Sequence, residues 1–207
     1  MKKKIFTLFL AICMICTILP FGAMAASDYE ILIGDVQVTS ANKSDILGDG
    51  TVKYDPSTGK LTLNNAKITN SMGIKDDETG YVVYTGILIG EGVGDVNIVL
   101  KGDNKISTVA PKGGNECMAI AMASESPLSF SGSGSLTVSA KSLDSKSLSS
   151  CSAIFAFNMA IKGGTITATS GAAGKSIDGV GSSSVAILCY ENLSISGGTV
   201  KATAGDA

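Results

Sequence analysis

Histidine, arginine and tryptophan are absent from this 207-residue sequence. Without histidine the chain lacks the commonest general base and the commonest side-chain ligand for transition metals. Without arginine, and without clustered lysines past residue 4, it lacks the cationic surface that nucleic acids and anionic membranes require. No tryptophan and five tyrosines leave few flat rings on which a sugar can stack. Helical periodicity and helix caps are missing too. Of the five cysteines, only Cys117, Cys151 and Cys189 lie beyond residue 25. Three is an odd, sparse set and no disulfide scaffold. Cys117 and Cys151 occupy equivalent repeat positions, so they are expected as small buried thiols on neighbouring rungs.

The one long apolar run stands at the start. Lys2, Lys3 and Lys4 precede an apolar core over 5–20, and Ala23-Met24-Ala25 supplies a small-residue exit. That is the pattern of a secretory signal peptide over 1–25, which predicts a secreted or cell-surface protein with no membrane contact after cleavage. Beyond it, 13 lysines face 18 acids, an excess of about five negative charges. Residues 26–58 read as an N-terminal cap. Ile31-Leu32-Ile33 and Val36-Gln37-Val38-Thr39 alternate as strands, while Gly48-Asp49-Gly50 and Pro56-Ser57-Thr58-Gly59 are turn chemistry.

From residue 59 the chain repeats itself. Ala153-Ile154-Phe155-Ala156, then Asn158-Met159-Ala160-Ile161-Lys162-Gly163-Gly164, then Thr165-Ile166-Thr167-Ala168-Thr169, recurs as Ala186-Ile187-Leu188-Cys189, Asn192-Leu193-Ser194-Ile195-Ser196-Gly197-Gly198 and Thr199-Val200-Lys201-Ala202-Thr203. Such a period means stacked supersecondary units. A propeller needs four strands per blade and a leucine-rich repeat needs its own Leu-Asn motif; neither is present. A sandwich also alternates, but whole three-strand units recur in register here. The expected fold is therefore all-β, a right-handed parallel β-helix (β-solenoid) of about four to five coils. Each coil has about 33 residues and three short strands over 59–207. The chain stops shortly after the last Thr-rich strand, so the solenoid is expected to continue in a longer protein.

The expected columns are Ile87, Ile120, Ile154 and Ile187 in the first strand. In the second they are Leu63, Leu100, Phe130, Ile161 and Ile195, beside Ile98, Leu128, Met159 and Leu193. The third has Ile68, Ile106, Leu136, Ile166 and Val200. Asn97, Asn158 and Asn192 share one position, with Pro127 in the remaining coil. Stacked asparagines there satisfy turn backbone rather than bind ligand.

If the apolar partners face inward, alternation turns a polar set outward. After the second strand this set is Asn64, Lys101, Ser131, Lys162 and Ser196. In the third strand Lys67, Lys105, Ser135, Thr137, Thr165, Thr167, Thr199 and Lys201 line a flat wall of hydroxyls and ammonium groups. Lys101, Ser131, Lys162, Ser196, Thr165, Thr167, Thr199 and Lys201, with Tyr190 as a ring contact, are the candidate carbohydrate-binding residues. Asp76, Asp77 and Glu78 are the densest acidic cluster and the weak candidates for Ca²⁺, which wants six to eight oxygens; no metal or other cofactor is otherwise expected. A hydrolase needs a carboxylate pair across the scissile bond, and Asp103 and Asp178 have no evident partner. A lyase needs a base such as a desolvated Lys101 or Lys162.

The run Asp45-Ile46-Leu47-Gly48-Asp49-Gly50-Thr51-Val52-Lys53-Tyr54-Asp55-Pro56, continued by Thr58-Gly59-Lys60-Leu61-Thr62-Leu63-Asn64-Asn65-Ala66, resembles secreted clostridial-type proteins with a carbohydrate-binding domain. That group is similar to right-handed parallel β-helix proteins and to one family of pectate lyases. The resemblance implies binding of plant-type or cell-surface glycans, with calcium in some members. Of the repeated Asp-Gly-Ile loops in better-characterised relatives, only Ser176-Ile177-Asp178-Gly179-Val180 comes close. The reading is a secreted, monomeric, non-catalytic polysaccharide-binding module. A structural or adhesive solenoid of a larger surface protein is the alternative, and a polysaccharide lyase the third.

Overall fold

Ile87, Ile120, Ile154 and Ile187 meet in one column, each the Cα partner of the next. The computed structural model that shows this describes residues 26–75, 77, 80–108, 114–142, 150–173 and 182–206. Residues 1–25, Asp76, Glu78, Asp178 and the middles of the three return loops lie outside the described residues. Every described element is a strand: β1 (Asp28–Ile33), β2 (Val36–Thr39), β3 (Val52–Asp55), β4 (Lys60–Asn64), β5 (Lys67–Ile68), β6 (Met72–Lys75), β7 (Val82–Ile89), β8 (Val96–Lys101), β9 (Asp103–Ser107), β10 (Glu116–Met122), β11 (Pro127–Gly132), β12 (Ser135–Ser139), β13 (Ser150–Ile161), β14 (Thr165–Thr169), β15 (Ser183–Ile195) and β16 (Thr199–Thr203).

From β7 onward each coil pairs in parallel with the one before. The first and second strands build an 11-stranded sheet, and the third strands a separate five-stranded one in the order β16-β14-β12-β9-β5. The chain is a parallel β-helix of about four turns. Each coil leaves its backbone donors and acceptors open above and below, and the next coil satisfies them. At the N-terminal end the pairing changes sense. β1 runs antiparallel to β7 and β2, and β3 antiparallel to β4, which closes the sheet edge there.

Two features differ from the three-short-strand plan. In the last two coils the first and second strands run on without a break, as β13 and β15. The bend is absorbed by a bulge: Ala156 faces Cys189 and Asn158 faces Asn192, so Phe157 lies opposite the two residues Tyr190 and Glu191. The second difference is register. Phe130 stands over Ile98, not Leu100, and Val138 over Ile106, with Leu136 beside Asn104. The second-strand columns are thus Leu61, Ile98, Phe130, Ile161 and Ile195, and Val96, Leu128, Met159 and Leu193. Asn97 faces Ser129, whereas Pro127, Asn158 and Asn192 do align. A shift of two residues keeps the same side chains inward, so hydrophobic alternation alone does not fix it.

The displaced register puts Asn104 inward at 2% exposure. Its Oδ1 accepts from Ala66 N at 2.9 Å, and its Nδ2 donates to Lys101 O and Ser135 O at 3.1 and 3.0 Å. It ties three coils at the bend. The expected amide ladder also forms: Asn192 Nδ2 donates to Asn158 Oδ1 at 3.0 Å, and Asn158 Nδ2 to Glu125 O at 2.9 Å. At the bend equivalent to that of Asn104 two coils on, Gly164 has φ +84, and a Cβ there would lie 2.9 Å from Leu100 Cδ1 and 3.0 Å from Gly134 O. Only glycine suits it.

The main core is one continuous stack from Ile31 to Ala186. A smaller cluster lies on the opposite face of the first strands, where Leu88, Met118, Ala121 and Phe155 turn outward and β6, paired antiparallel beside β7, adds Ile74 to the same face. β10 is therefore buried on both faces. Ile154 sits between Ile120 and Ile187 with no exposed surface. Ile154→Ala is expected to destabilise the fold by about 2–5 kcal/mol, read as a lower urea midpoint, while Thr137→Ala on the outward face should shift it by less than about 0.5 kcal/mol.

Candidate functional site

The five-stranded sheet turns three polar columns away from the core. Asp103, Ser135, Thr165 and Thr199 form the first. Lys67, Lys105, Thr137, Thr167 and Lys201 form the second, and Ser107, Ser139, Thr169 and Thr203 the third. Between them Ile106, Leu136, Val138, Ile166 and Ala168 point inward at 0% exposure. The period of two therefore sorts this sheet into an apolar inner and a polar outer face. Neighbouring hydroxyls in a column stand about 4.8 Å apart and columns about 7 Å apart, a grid fixed by the backbone. One contact within it is already made: Ser135 Oγ donates to Asp103 Oδ1 at 2.7 Å.

The candidate residues do not all share this wall. Thr165, Thr167, Thr199 and Lys201 do. Lys162 and Ser196 lie exposed at the bends that lead into β14 and β16. Lys101 pairs with Asn64 at the end of β8, and Ser131 stands beside Val99, so the expected Lys101–Ser131 column does not form. The reason is the two-residue register difference. Ser131 is half-buried and its hydroxyl donates to Asn97 Oδ1 at 2.9 Å. Tyr190 belongs to the other sheet. Its ring packs 5.7 Å from both Phe155 and Phe157, edge-on to the first, and is 44% exposed. It is therefore no ring contact for the Thr wall.

Asp77 is exposed, and its neighbours Asp76 and Glu78 lie outside the described residues. Asp45 and Asp49 spend their carboxylates on their own turn: Asp45 Oδ1 accepts from Gly50 N, and Asp49 Oδ1 from Thr51 N and Oγ1. The Thr51 bonds hold the Asp49 carboxyl below its usual pKa. Among the described residues no three potential metal ligands come together.

One ionisable group escaped the sequence reading. Glu116 opens β10 at 9% exposure, and its Oε2 has no hydrogen-bond partner among the described residues. Burial raises its pKa to about 7, and the hydrogen bond from Tyr81 pulls back only part of that. The Tyr81 phenol is raised in turn, by burial first and then by the Glu116 charge. No pattern marks Glu116 as buried, since its neighbours in the loop are polar.

By its fold the chain is a β-solenoid with one polar, flat wall. Compared with known proteins, it matches no family model, no curated protein and no solved structure.

Glu116 has a stability consequence. A carboxyl whose native pKa lies above its unfolded value of 4.5 binds its proton more tightly when folded. Its contribution is full below pH 4.5 and is lost as pH rises through about 7. Glu116→Gln, which keeps the Tyr81 contact but cannot ionise, should flatten the fall of Tm between those two values and raise Tm at pH 8. Equal pH slopes for the two proteins would refute the assignment.

Proposed function

We propose that the protein is a non-catalytic polysaccharide-binding module whose five-stranded sheet lies along an extended glycan. The observation that carries this is the in-register hydroxyl grid of Ser135, Thr137, Thr165, Thr167 and Thr199, flanked by Lys67, Lys105 and Lys201. Hydroxyls donate and accept at once, as sugar hydroxyls do, so the β12 and β14 rungs each offer a matching pair and the β16 rung offers Thr199 beside Lys201. One such bond contributes only about 0.5–1.5 kcal/mol net. Repetition along the solenoid axis turns weak contacts into retention on a polymer, because later contacts form within an already bound chain. A rigid backbone holds the hydroxyls in place beforehand, which lowers the entropy lost on binding. The resemblance of residues 45–66 to proteins with carbohydrate-binding domains supports the same reading.

Affinity electrophoresis in gels cast with plant and bacterial polysaccharides tests it. The protein should be retarded by at least one polymer. The triple variant Thr165→Val, Thr167→Val, Thr199→Val, which keeps shape and strand preference, should bind at least about 10-fold more weakly, from roughly three lost bonds, at unchanged Tm. Retardation by none of the polymers would favour the alternative, a stiff spacer or adhesive segment of a surface protein.

A further inference from the structure

Cys117 and Cys151 are Cα partners on adjacent parallel strands. Both are 0% exposed and share a small cluster with Ala140, against Tyr84. Their column continues as Tyr84 on one side and Ser184 on the other, so each cysteine has the other as its one sulfur neighbour in the ladder. Both are reduced in this structure. The stacked coils close both to solvent, so exchange with a dissolved reagent runs when these rungs open locally or during folding. Thr108 Oγ1 is hydrogen-bonded to Cys117 Sγ at 2.7 Å, while Cys151 Sγ reaches Lys141 O and Ala172 O at 3.5 Å. Cys189 lies on a different strand segment, facing Ala156, with its thiol donating to Phe157 O and Asn192 O.

We propose that Cys117 and Cys151 are a thiol-disulfide modification site, closing a reversible clip between the third-strand coils that carry Thr137 and Thr167. Parallel rungs set the two Cα atoms about 4.8 Å apart, inside the range that disulfides span. Same-face Cβ atoms keep nearly that separation, longer than the roughly 3.8 Å a relaxed disulfide prefers. The bond therefore forms under strain and is reduced more readily than an unstrained structural one. Cys117 is the attacking sulfur: hydrogen bonds from Cys151 first, and from Thr108 and the Lys141 backbone, hold its pKa below the usual thiol value against the effect of burial. With a small-molecule disulfide as oxidant, the Cys117 thiolate attacks one sulfur and displaces the other as a thiolate. Cys151 then attacks the Cys117 sulfur of the mixed disulfide and displaces the second. Two protein thiols and one oxidant disulfide yield one protein disulfide and two small thiols, which take up the two protons.

The test incubates the full chain with oxidised glutathione, then denatures, alkylates and maps it by mass spectrometry. The expected product joins the peptides of Cys117 and Cys151 with loss of two hydrogens, forms equally in Cys189→Ala, and disappears in Cys117→Ser. Millimolar reduced glutathione should reopen it in the folded protein. Full alkylation of both cysteines after oxidation, including refolding in the oxidant, would overturn the site. So would a glutathione adduct that never resolves, or a bond involving Cys189. Resistance of the closed bond to reduced glutathione would overturn its reversibility.

Discussion

The backbone pairing of each coil with the coil before it is the constraint on which everything else rests. No coil of 33 or 34 residues encloses a core of its own; Ile154 has an apolar environment only because Ile120 lies on one side and Ile187 on the other. Parallel pairing also forces equivalent residues into contact. A column of isoleucines is thus a consequence of topology as much as of composition. The same rule places Thr beside Thr on the outer wall, thiol beside thiol at Cys117 and Cys151, and amide beside amide at Asn158 and Asn192.

The two sheets use that rule differently. The five-stranded sheet has a clean inner and outer face, so its outward positions are free to be polar. The 11-stranded sheet is apolar on its outer face too along β10, where Ile74 of β6, the strand beside β7, joins Met118, Ala121 and Phe155. Tyr81 packs against this cluster and hydrogen-bonds the buried Glu116 carboxyl. At the far end of the stack the order reverses: Tyr190, Leu193 and Ile195 are the exposed large apolar residues, because the described chain places no further rung upon β15. The N-terminal end is shielded by antiparallel strands instead, with Ile31, Ile33 and Val52 contributing to the core.

Much of this was legible beforehand. The recurrence of Ala-Ile at 119, 153 and 186, and of Gly-Gly-Thr at 163 and 197, sets the period and the strand types. Equivalent positions in those later coils align in the structure as they do in the sequence. In the earlier coils Leu63 does stand beside Leu100, but Leu100 with Phe130 and Ile106 with Leu136 look equally good as apolar matches and are two residues out of register. Lys101 and Ser131 were joined in one column for the same reason. Tyr190 sits on the 11-stranded sheet, away from the Thr wall, which spacing along the chain does not reveal.

The amino-acid order by itself determined that coils stack, what their period is, and which side chains face inward, because period-two alternation and a 33-residue recurrence are local, one-dimensional signals. Only the tertiary structure decided how far each rung slides along its neighbour and that the outer face of the first strands is buried along β10. The physical reason is parity. An even slip leaves inside and outside unchanged, so the choice falls to bend length, to the inward amide of Asn104 and to the room left for glycine at the corner.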